Sequence, residues 1–179
     1  MDHFESIICT LLEAEGYWVR RSFKVNLTKE EKRETGKHSM PRPEIDLLAL
    51  HFGRNEVFAI EAKSYLDSPG VKLSLLMEEH EVQEGCYKLF TSERYRSIVL
   101  SVLKKDLIAR GMANADTKIS IGLAAGNVYQ GKADAIRKFM DRNGWLFWSP
   151  EDIKNKVTAL AERGYENDPA IITAKILMR

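Results

Sequence analysis

Three charged residues, Asp46, Glu61 and Lys63, lie inside two apolar segments of strand length. The segments 44–50 and 56–64 are rich in Ile, Leu, Val and Phe and are separated by a short polar break, a pattern that predicts a β-hairpin. A charge inside a buried strand is costly unless it is paired or holds a metal ion. That cost makes these three residues the first candidates for a functional site.

The spacing of the two segments predicts which of these charges face each other. Both segments are apolar on both faces near the turn, as in the middle of a covered sheet, and become charged on one face at their far ends. A loop centred between Gly53 and Arg54 sets Asp46 directly opposite Glu61, with Cβ atoms roughly 4.5–5.5 Å apart. Two opposed carboxylates favour a cation between them, and a one-residue slip of the register would separate them.

These residue types suit one kind of chemistry. Mg²⁺, or Mn²⁺ in its place, prefers carboxylate oxygens and keeps several of its waters. A metal ion of this kind makes water a better nucleophile and stabilises charge on a phosphoryl oxygen. A neighbouring lysine can orient or deprotonate the water or neutralise the developing charge. The set Asp46, Glu61 and Lys63 therefore indicates metal-assisted hydrolysis of phosphodiester bonds.

The sequences Pro43-Glu44-Ile45-Asp46 and Glu61-Ala62-Lys63 resemble the motif of the PD-(D/E)xK nuclease superfamily. The resemblance covers about residues 1–125 and implies a restriction-endonuclease-like core: a helix, three mostly antiparallel strands, a helix and a further strand. It also implies Mg²⁺-dependent cleavage of nucleic acid, with Asp46 and Glu61 as metal ligands, the Ala62 carbonyl as a further ligand and Lys63 as the catalytic lysine. Because the proline does not directly precede the aspartate, Glu44 remains an alternative for the first acidic residue.

Two predicted helices offer further site residues. The first helix, over residues 2–15, carries Glu5; by the resemblance Glu5 is an auxiliary metal ligand, and the alternative is a solvated glutamate on the helix flank. A helix predicted over residues 73–90 places Gln83 and Tyr87 four apart on one face. This pair resembles the Q-x-x-x-Y feature of the RecB-like branch, whose glutamine and tyrosine line the active-site cleft. The alternative is a polar helix face with a half-buried tyrosine.

The polar segment 26–42 is dense in lysine, arginine and glutamate. A polar loop of this length in a small domain is usually functional or mobile. Its cations could hold phosphates beside the hairpin, or they could form a solvated excursion balanced by its glutamates.

The composition describes an ordinary soluble chain. Its 179 residues, with 44% hydrophobic and 30% charged residues, are typical of one globular domain. From the order of the predicted elements and the resemblance, we expect an α/β fold with a mixed central sheet flanked by helices. Within that domain we expect a core over about residues 1–125 and a helical and strand extension over about 126–179. The net charge of +1 gives no global signal for nucleic acid, so any basic surface must be local.

Cellular location is inferred from what the sequence lacks. Cys9 and Cys86 have no metal-ligand spacing and are expected to be reduced and buried. The N-terminal residues show no basic n-region, and no apolar run approaches the roughly 20 residues of a membrane span. We therefore expect a cytoplasmic protein without a membrane partner.

Together these features predict an Mg²⁺-dependent nuclease acting on DNA, with RNA not excluded as a substrate. Glu5 or Glu44 would tune the site, and Gln83 and Tyr87 would orient the substrate backbone. A homodimer would allow both strands to be cut. The alternative is a catalytically inactive nucleic-acid or protein binding module on the same fold.

Overall fold

A five-stranded mixed sheet forms the centre of the molecule, with its strands in the order β1-β2-β3-β4-β5. The structure is a computed structural model that describes residues 3–164 and 166–179. Asp2, the predicted first residue of the N-terminal helix, lies outside these residues. The strands are β1 (Trp18–Lys24), β2 (Glu44–His51), β3 (Glu56–Lys63), β4 (Lys118–Ala125) and β5 (Leu146–Trp148). The helices are α1 (His3–Ala14), α2 (Lys29–Glu34), α3 (Leu73–Leu76), α4 (Lys88–Thr91), α5 (Glu93–Ala109), α6 (Ala133–Arg142), α7 (Pro150–Leu160) and α8 (Pro169–Leu177).

The first three strands form an antiparallel meander, and β4 and β5 then join it in parallel. Helices cover both faces of this sheet. Side chains of α5 and α6 pack in one apolar cluster on one face. Side chains of α1, α7 and α8 pack in a second cluster on the other. The chain is thus a single α/β domain, and the segment after residue 125 contributes the strand β5 and the three covering helices α6, α7 and α8 to it.

The hairpin and its register agree with the sequence-based prediction. The ladder between β2 and β3 runs from Leu47 opposite Ile60 to His51 opposite Glu56. Continued by one residue, this register sets Asp46 opposite Glu61. The turn is a short 3₁₀ helix that ends at Asn55 in the left-handed conformation, with φ of 52°. Both strands lie inside the sheet, which explains why they are apolar on both faces.

The alternation of side chains along β2 breaks beside Asp46. Strict alternation places Ile45 on the face of Leu47, but Ile45 packs in the cluster of Leu48 and Leu47 packs in the opposite one. On the neighbouring strand β1, the position opposite Asp46 is skipped in the ladder and is held by Ser22, with φ of 49°. A positive φ in a residue with a side chain marks local strain. The sheet is therefore distorted where Asp46 enters the site.

The predicted helix over residues 73–90 is wrong. Only α3 and α4, of four residues each, are helical there. Val82 and Cys86, two apolar residues at helical spacing, are exposed, whereas Gln83 and Tyr87 are buried. Gln83 and Tyr87 are separated by exposed Glu84 and Cys86 and by Gly85, whose φ of 68° is not helical, so the segment packs as an irregular loop.

The polar segment 26–42 also contains more structure than the sequence predicts. Helix α2 begins with a capping box, in which the Thr28 side chain accepts from Glu31 N–H and Glu31 accepts from Thr28 N–H. This short helix fixes the start of the segment that returns to β2.

Within the described residues, none of the helices combines the length and apolarity needed to cross a bilayer.

Candidate active site

A cavity of about 480 Å³ opens on the α5 side of the sheet, where β2 begins and β3 ends. Asp46, Glu61 and Lys63 all line this cavity. They come from the two neighbouring central strands, whose register brings them together as expected. Gln83 reaches the same cavity from the loop between α3 and α4. A larger cavity of about 710 Å³ lies elsewhere and contains none of these four residues.

Asp46 is held in place by the backbone of the strand beside it. Its Oδ2 accepts a hydrogen bond of 3.0 Å from the N–H of Ala62, the residue between Glu61 and Lys63. The described ladder between β2 and β3 ends one residue earlier, at Leu47 and Ile60. The aspartate side chain therefore fixes β3 at the point where the two strands enter the cavity.

Glu61 and Lys63 form an ion pair along β3. The Lys63 Nζ lies 2.8 Å from the Glu61 Oε1, and their side chains are only 23% and 15% exposed, respectively. Both project to the same face of the strand because they are two residues apart. The pair therefore sits in surroundings where electrostatic interactions are stronger than in water.

Burial and charge shift the pKa values of both partners in the same direction. Burial raises the pKa of Glu61, and the charge of Asp46 raises it further, while Lys63 opposes both. Burial alone would lower the pKa of Lys63, but the carboxylates of Glu61 and Asp46 outweigh it, so that its pKa is raised. When all three groups are ionised they carry one net negative charge. The site therefore favours the uptake of positive charge, either a proton or a cation.

Two carboxylate oxygens remain available for such a cation. The hydrogen bond to Ala62 uses Asp46 Oδ2 and the ion pair uses Glu61 Oε1. Asp46 Oδ1 and Glu61 Oε2 have no hydrogen-bond or ion-pair partner among residues 3–164 and 166–179. No group of three or more His, Cys, Asp or Glu side chains in those residues could hold a metal ion. Two carboxylates on neighbouring strands are a donor set that can bind Mg²⁺ together with several waters.

Gln83 is 1% exposed and has a side-chain orientation fixed by its neighbours. Its Nε2 donates to Thr35 Oγ1 at 3.2 Å and to Met40 Sδ at 3.5 Å. The hydroxyl of Thr35 donates to the Lys32 carbonyl at 2.7 Å, so its oxygen faces Gln83 as an acceptor. The amide nitrogen must therefore point at Thr35. This orientation leaves Gln83 Oε1 buried and without a hydrogen-bond partner in the described part of the chain.

Tyr87 does not share a helix face with Gln83. It is 2% exposed, precedes α4 and does not line the cavity. Burial raises its pKa, as does the neighbouring hydroxyl of Tyr65. Its ring packs edge to face on Phe90, with ring centroids 6.5 Å apart. The predicted joint role of Gln83 and Tyr87 in lining one cleft is wrong, because the intervening chain is not helical.

The other two predicted acids occupy different places. Glu44 lines the cavity rim and forms an exposed ion pair with Lys24, with Nζ and Oε2 3.7 Å apart. Glu5 lies partly buried on α1, which packs on the opposite face of the sheet, and it is not among the residues that line the cavity. Of the acids, the structure brings Asp46, Glu61 and Glu44 to one cavity and leaves Glu5 outside it.

Several residues that line the cavity were not predicted from the sequence to belong to the site. Tyr95 of α5 lies against the site, and burial together with the charge of Glu61 raises its pKa to about 12. Lys88 also lines the cavity, and its charge opposes the rise in the pKa of Glu61. Cys86 lines the cavity as an exposed thiol, contrary to the predicted buried one, whereas Cys9 is buried as predicted. These residues lie far from the hairpin in sequence, so no local pattern indicated that they line the cavity.

No protein-family model matches the chain, and neither the curated proteins nor the solved structures contain a match to it. The choice of a function therefore depends on the chemistry of the cavity.

Proposed function

We propose that this protein is a metal-dependent nuclease that hydrolyses phosphodiester bonds in DNA. The observation that carries the proposal is the presence of Asp46, Glu61 and Lys63 in one cavity at adjacent ends of two central strands. The order of the elements supports it. Helix α1, the antiparallel strands β1 to β3, helix α5 and the parallel strand β4 follow in the order that the resemblance to the PD-(D/E)xK superfamily implies, with the short helices α2, α3 and α4 between them.

Asp46 and Glu61 would hold the divalent ion through their two available oxygens, and the carbonyl of Ala62 is a further candidate ligand. A bound Mg²⁺ would supply Lewis-acid stabilisation of the phosphoryl group and a more acidic water. The net negative charge of Asp46, Glu61 and Lys63 suits such a cation.

Lys63 would act as a cation in this reaction. Its raised pKa keeps the amine protonated at neutral pH, so it would orient water or neutralise charge on the phosphate instead of removing a proton. Its ion pair with Glu61 holds the amine beside the metal ligands.

The test compares cleavage by the wild-type protein and by Lys63→Ala. The panel contains plasmid, linear duplex and single-stranded DNA, and RNA, with Mg²⁺ or Mn²⁺ and with a chelator. We expect metal-dependent cleavage that falls by about 100-fold or more in Lys63→Ala, the size expected for loss of a group that stabilises the transition state. The matched control is Lys118→Ala, because Lys118 is an exposed lysine at the opposite end of the sheet.

The unfolding temperature of each variant would show that the fold is retained. Equal cleavage by wild type and Lys63→Ala would refute the proposed site. Binding of nucleic acid without cleavage under any metal condition would favour the inactive binding module.

A further inference from the structure

The size of the cavity limits what can enter it. Its volume of about 480 Å³ lies in the range of about 300–1,000 Å³ that is typical for pockets holding one small molecule. Its walls come from residues 37–46, from β3, from the loop at 83–89 and from α5. A single nucleotide is of this size, whereas a base pair with both of its strands is not.

Part of the wall is apolar. Met40 and Pro41 line it from one segment and Leu89 lines it from the other, and all three side chains are partly or fully exposed. A charged phosphate backbone gains nothing from contact with an apolar wall, whereas the apolar face of an unpaired base can pack against it. In a duplex the base faces are stacked on each other and are closed to a protein pocket.

The rest of the wall carries four basic side chains and three acidic ones, the latter being Glu44, Asp46 and Glu61. Lys37, Arg42 and Lys88 line the same cavity as Lys63. Lys88 is close enough to Glu61 to lower the pKa of its carboxyl. Positive groups along a groove with an adjoining surface for bases are the features by which proteins hold single-stranded nucleic acid.

Gln83 contributes a hydrogen-bond acceptor to which no group of the described residues donates. Its Oε1 is buried and unpartnered while its Nε2 is fixed by Thr35 and Met40. DNA phosphates carry no hydrogen-bond donor, but unpaired bases carry amino and imino N–H groups. In a duplex the Watson–Crick N–H groups already donate to acceptors on the partner strand. Of these two kinds of ligand, the unpaired base is the one that could supply the missing donor.

We propose that this cavity takes an unpaired nucleotide of a DNA strand, with the base against Met40, Pro41 and Leu89 and the phosphate toward Lys63. The inference rests on the proposed nuclease function and names its substrate: single-stranded DNA or an unpaired strand end. The cations of segment 37–42 and Lys88 hold the neighbouring phosphates, and Gln83 accepts from the base.

Binding can be tested with the full chain in a chelating buffer, where no cleavage occurs. Fluorescence anisotropy compares a labelled single-stranded 12-mer with the same strand in a duplex. We expect the single strand to bind at least about tenfold more tightly, equivalent to about 1.4 kcal/mol.

Cys86 provides a second readout that locates the ligand. It is an exposed thiol in the cavity wall, and Cys9, buried at 2% exposure, serves as an internal control. We expect the single strand to slow alkylation of Cys86 by iodoacetamide, measured by peptide mass mapping, while the duplex at the same concentration does not.

Gln83→Met tests the acceptor with a side chain of similar length. Loss of one hydrogen bond should weaken single-strand binding by roughly three- to tenfold, with thermal unfolding showing that the variant is folded.

The outcomes separate this inference from the proposed function. Equal or tighter binding of the duplex, or single-strand binding that leaves Cys86 unprotected, would overturn the inference and leave a duplex nuclease standing. Failure of both DNA forms to bind, together with no cleavage in the activity test, would overturn the proposed function itself.

Discussion

Glu61 is the residue whose protonation connects the electrostatics of the site to the proposed metal binding. Burial raises its pKa, and Asp46 raises it further against the opposing charge of Lys63. The folded protein therefore keeps this proton at pH values where an ordinary glutamate has lost it. In the absence of metal, the stability gained from protonated Glu61 is complete below its unfolded pKa and is lost as the pH rises through its folded pKa.

A divalent cation must displace that proton. We therefore predict that Mn²⁺ binds well at about pH 8 and progressively more weakly as the pH falls toward about 5, starting at a higher pH than for an ordinary carboxylate. At a Mn²⁺ concentration 100 times the Kd, the gain in unfolding free energy should be about 2.7 kcal/mol. Thermal unfolding with and without Mn²⁺ across this pH range measures the effect.

Glu61→Gln is the control for this prediction, because it removes a ligand oxygen and the titrating group together. It should show little Mn²⁺ stabilisation at any pH. A gain in wild type that stays constant across the range would mean that Glu61 is not a ligand.

At the scale of elements, the close packing of β3 and β4 at Gly126 positions Lys63. The N–H of Gly126, just after β4, donates to the Lys63 carbonyl at 2.8 Å. A Cβ at Gly126 would lie 2.3 Å from the Ser64 carbonyl oxygen, which is too close without movement of the backbone. A glycine is therefore required for this contact.

We predict that Gly126→Ala lowers the unfolding free energy by about 1–3 kcal/mol through overpacking and also reduces cleavage, because the end of β3 must shift. Urea unfolding and the cleavage assay measure the two effects. Gly164→Ala is the matched control, since a Cβ there meets nothing within 4 Å. If the two alanine variants were equally stable and active, the proposed role of this contact would be wrong.

At the scale of the whole molecule, the net charge is only +1, so the proposed attraction of nucleic acid would have to arise from the local group of cations around the cavity. Lys37 and Arg42 belong to one segment and Lys88 belongs to another that lies more than 40 residues later, and the two segments meet at this cavity.

We predict that single-strand affinity falls with salt with a log–log slope of about −2, the value for three phosphate contacts on a single strand. Lys88→Ala should reduce the magnitude of this slope by about 0.7–1. Anisotropy titrations at several NaCl concentrations measure the slope, and Lys118→Ala should leave it unchanged. A slope near zero in wild type would contradict binding through phosphates.

The local pattern of residues was sufficient for the elements with strong signals. The apolar runs on either side of the polar break predicted β2 and β3, and a loop centred between Gly53 and Arg54 predicted the register that they show. Residues 149–152 combine a serine cap, a proline and an acidic first turn, which are local signals of a helix start, and α7 begins there with Ser149 as its capping residue. These signals depend only on residues that are neighbours in sequence, so they can be recognised without knowledge of the rest of the chain.

Residues 73–90 show where local pattern fails. Leu76, Val82 and Cys86 suggest a helical stripe, but tertiary packing buries Gln83 and Tyr87 instead. Gln83 is held by Thr35 and Met40, which lie more than 40 residues earlier, and no local signal records such partners.

The sequence by itself determined the pairing of Asp46 with Glu61 and the position of Lys63 on the same face, because these follow from strand periodicity and turn length. Only the tertiary structure decided which other side chains join them: Gln83 enters, Tyr87 and Glu5 stay outside, and Lys88, Tyr95 and Cys86 complete the walls. The physical reason is that a strand fixes its near neighbours through backbone hydrogen bonds. The walls of a cavity depend on how distant segments pack across the sheet.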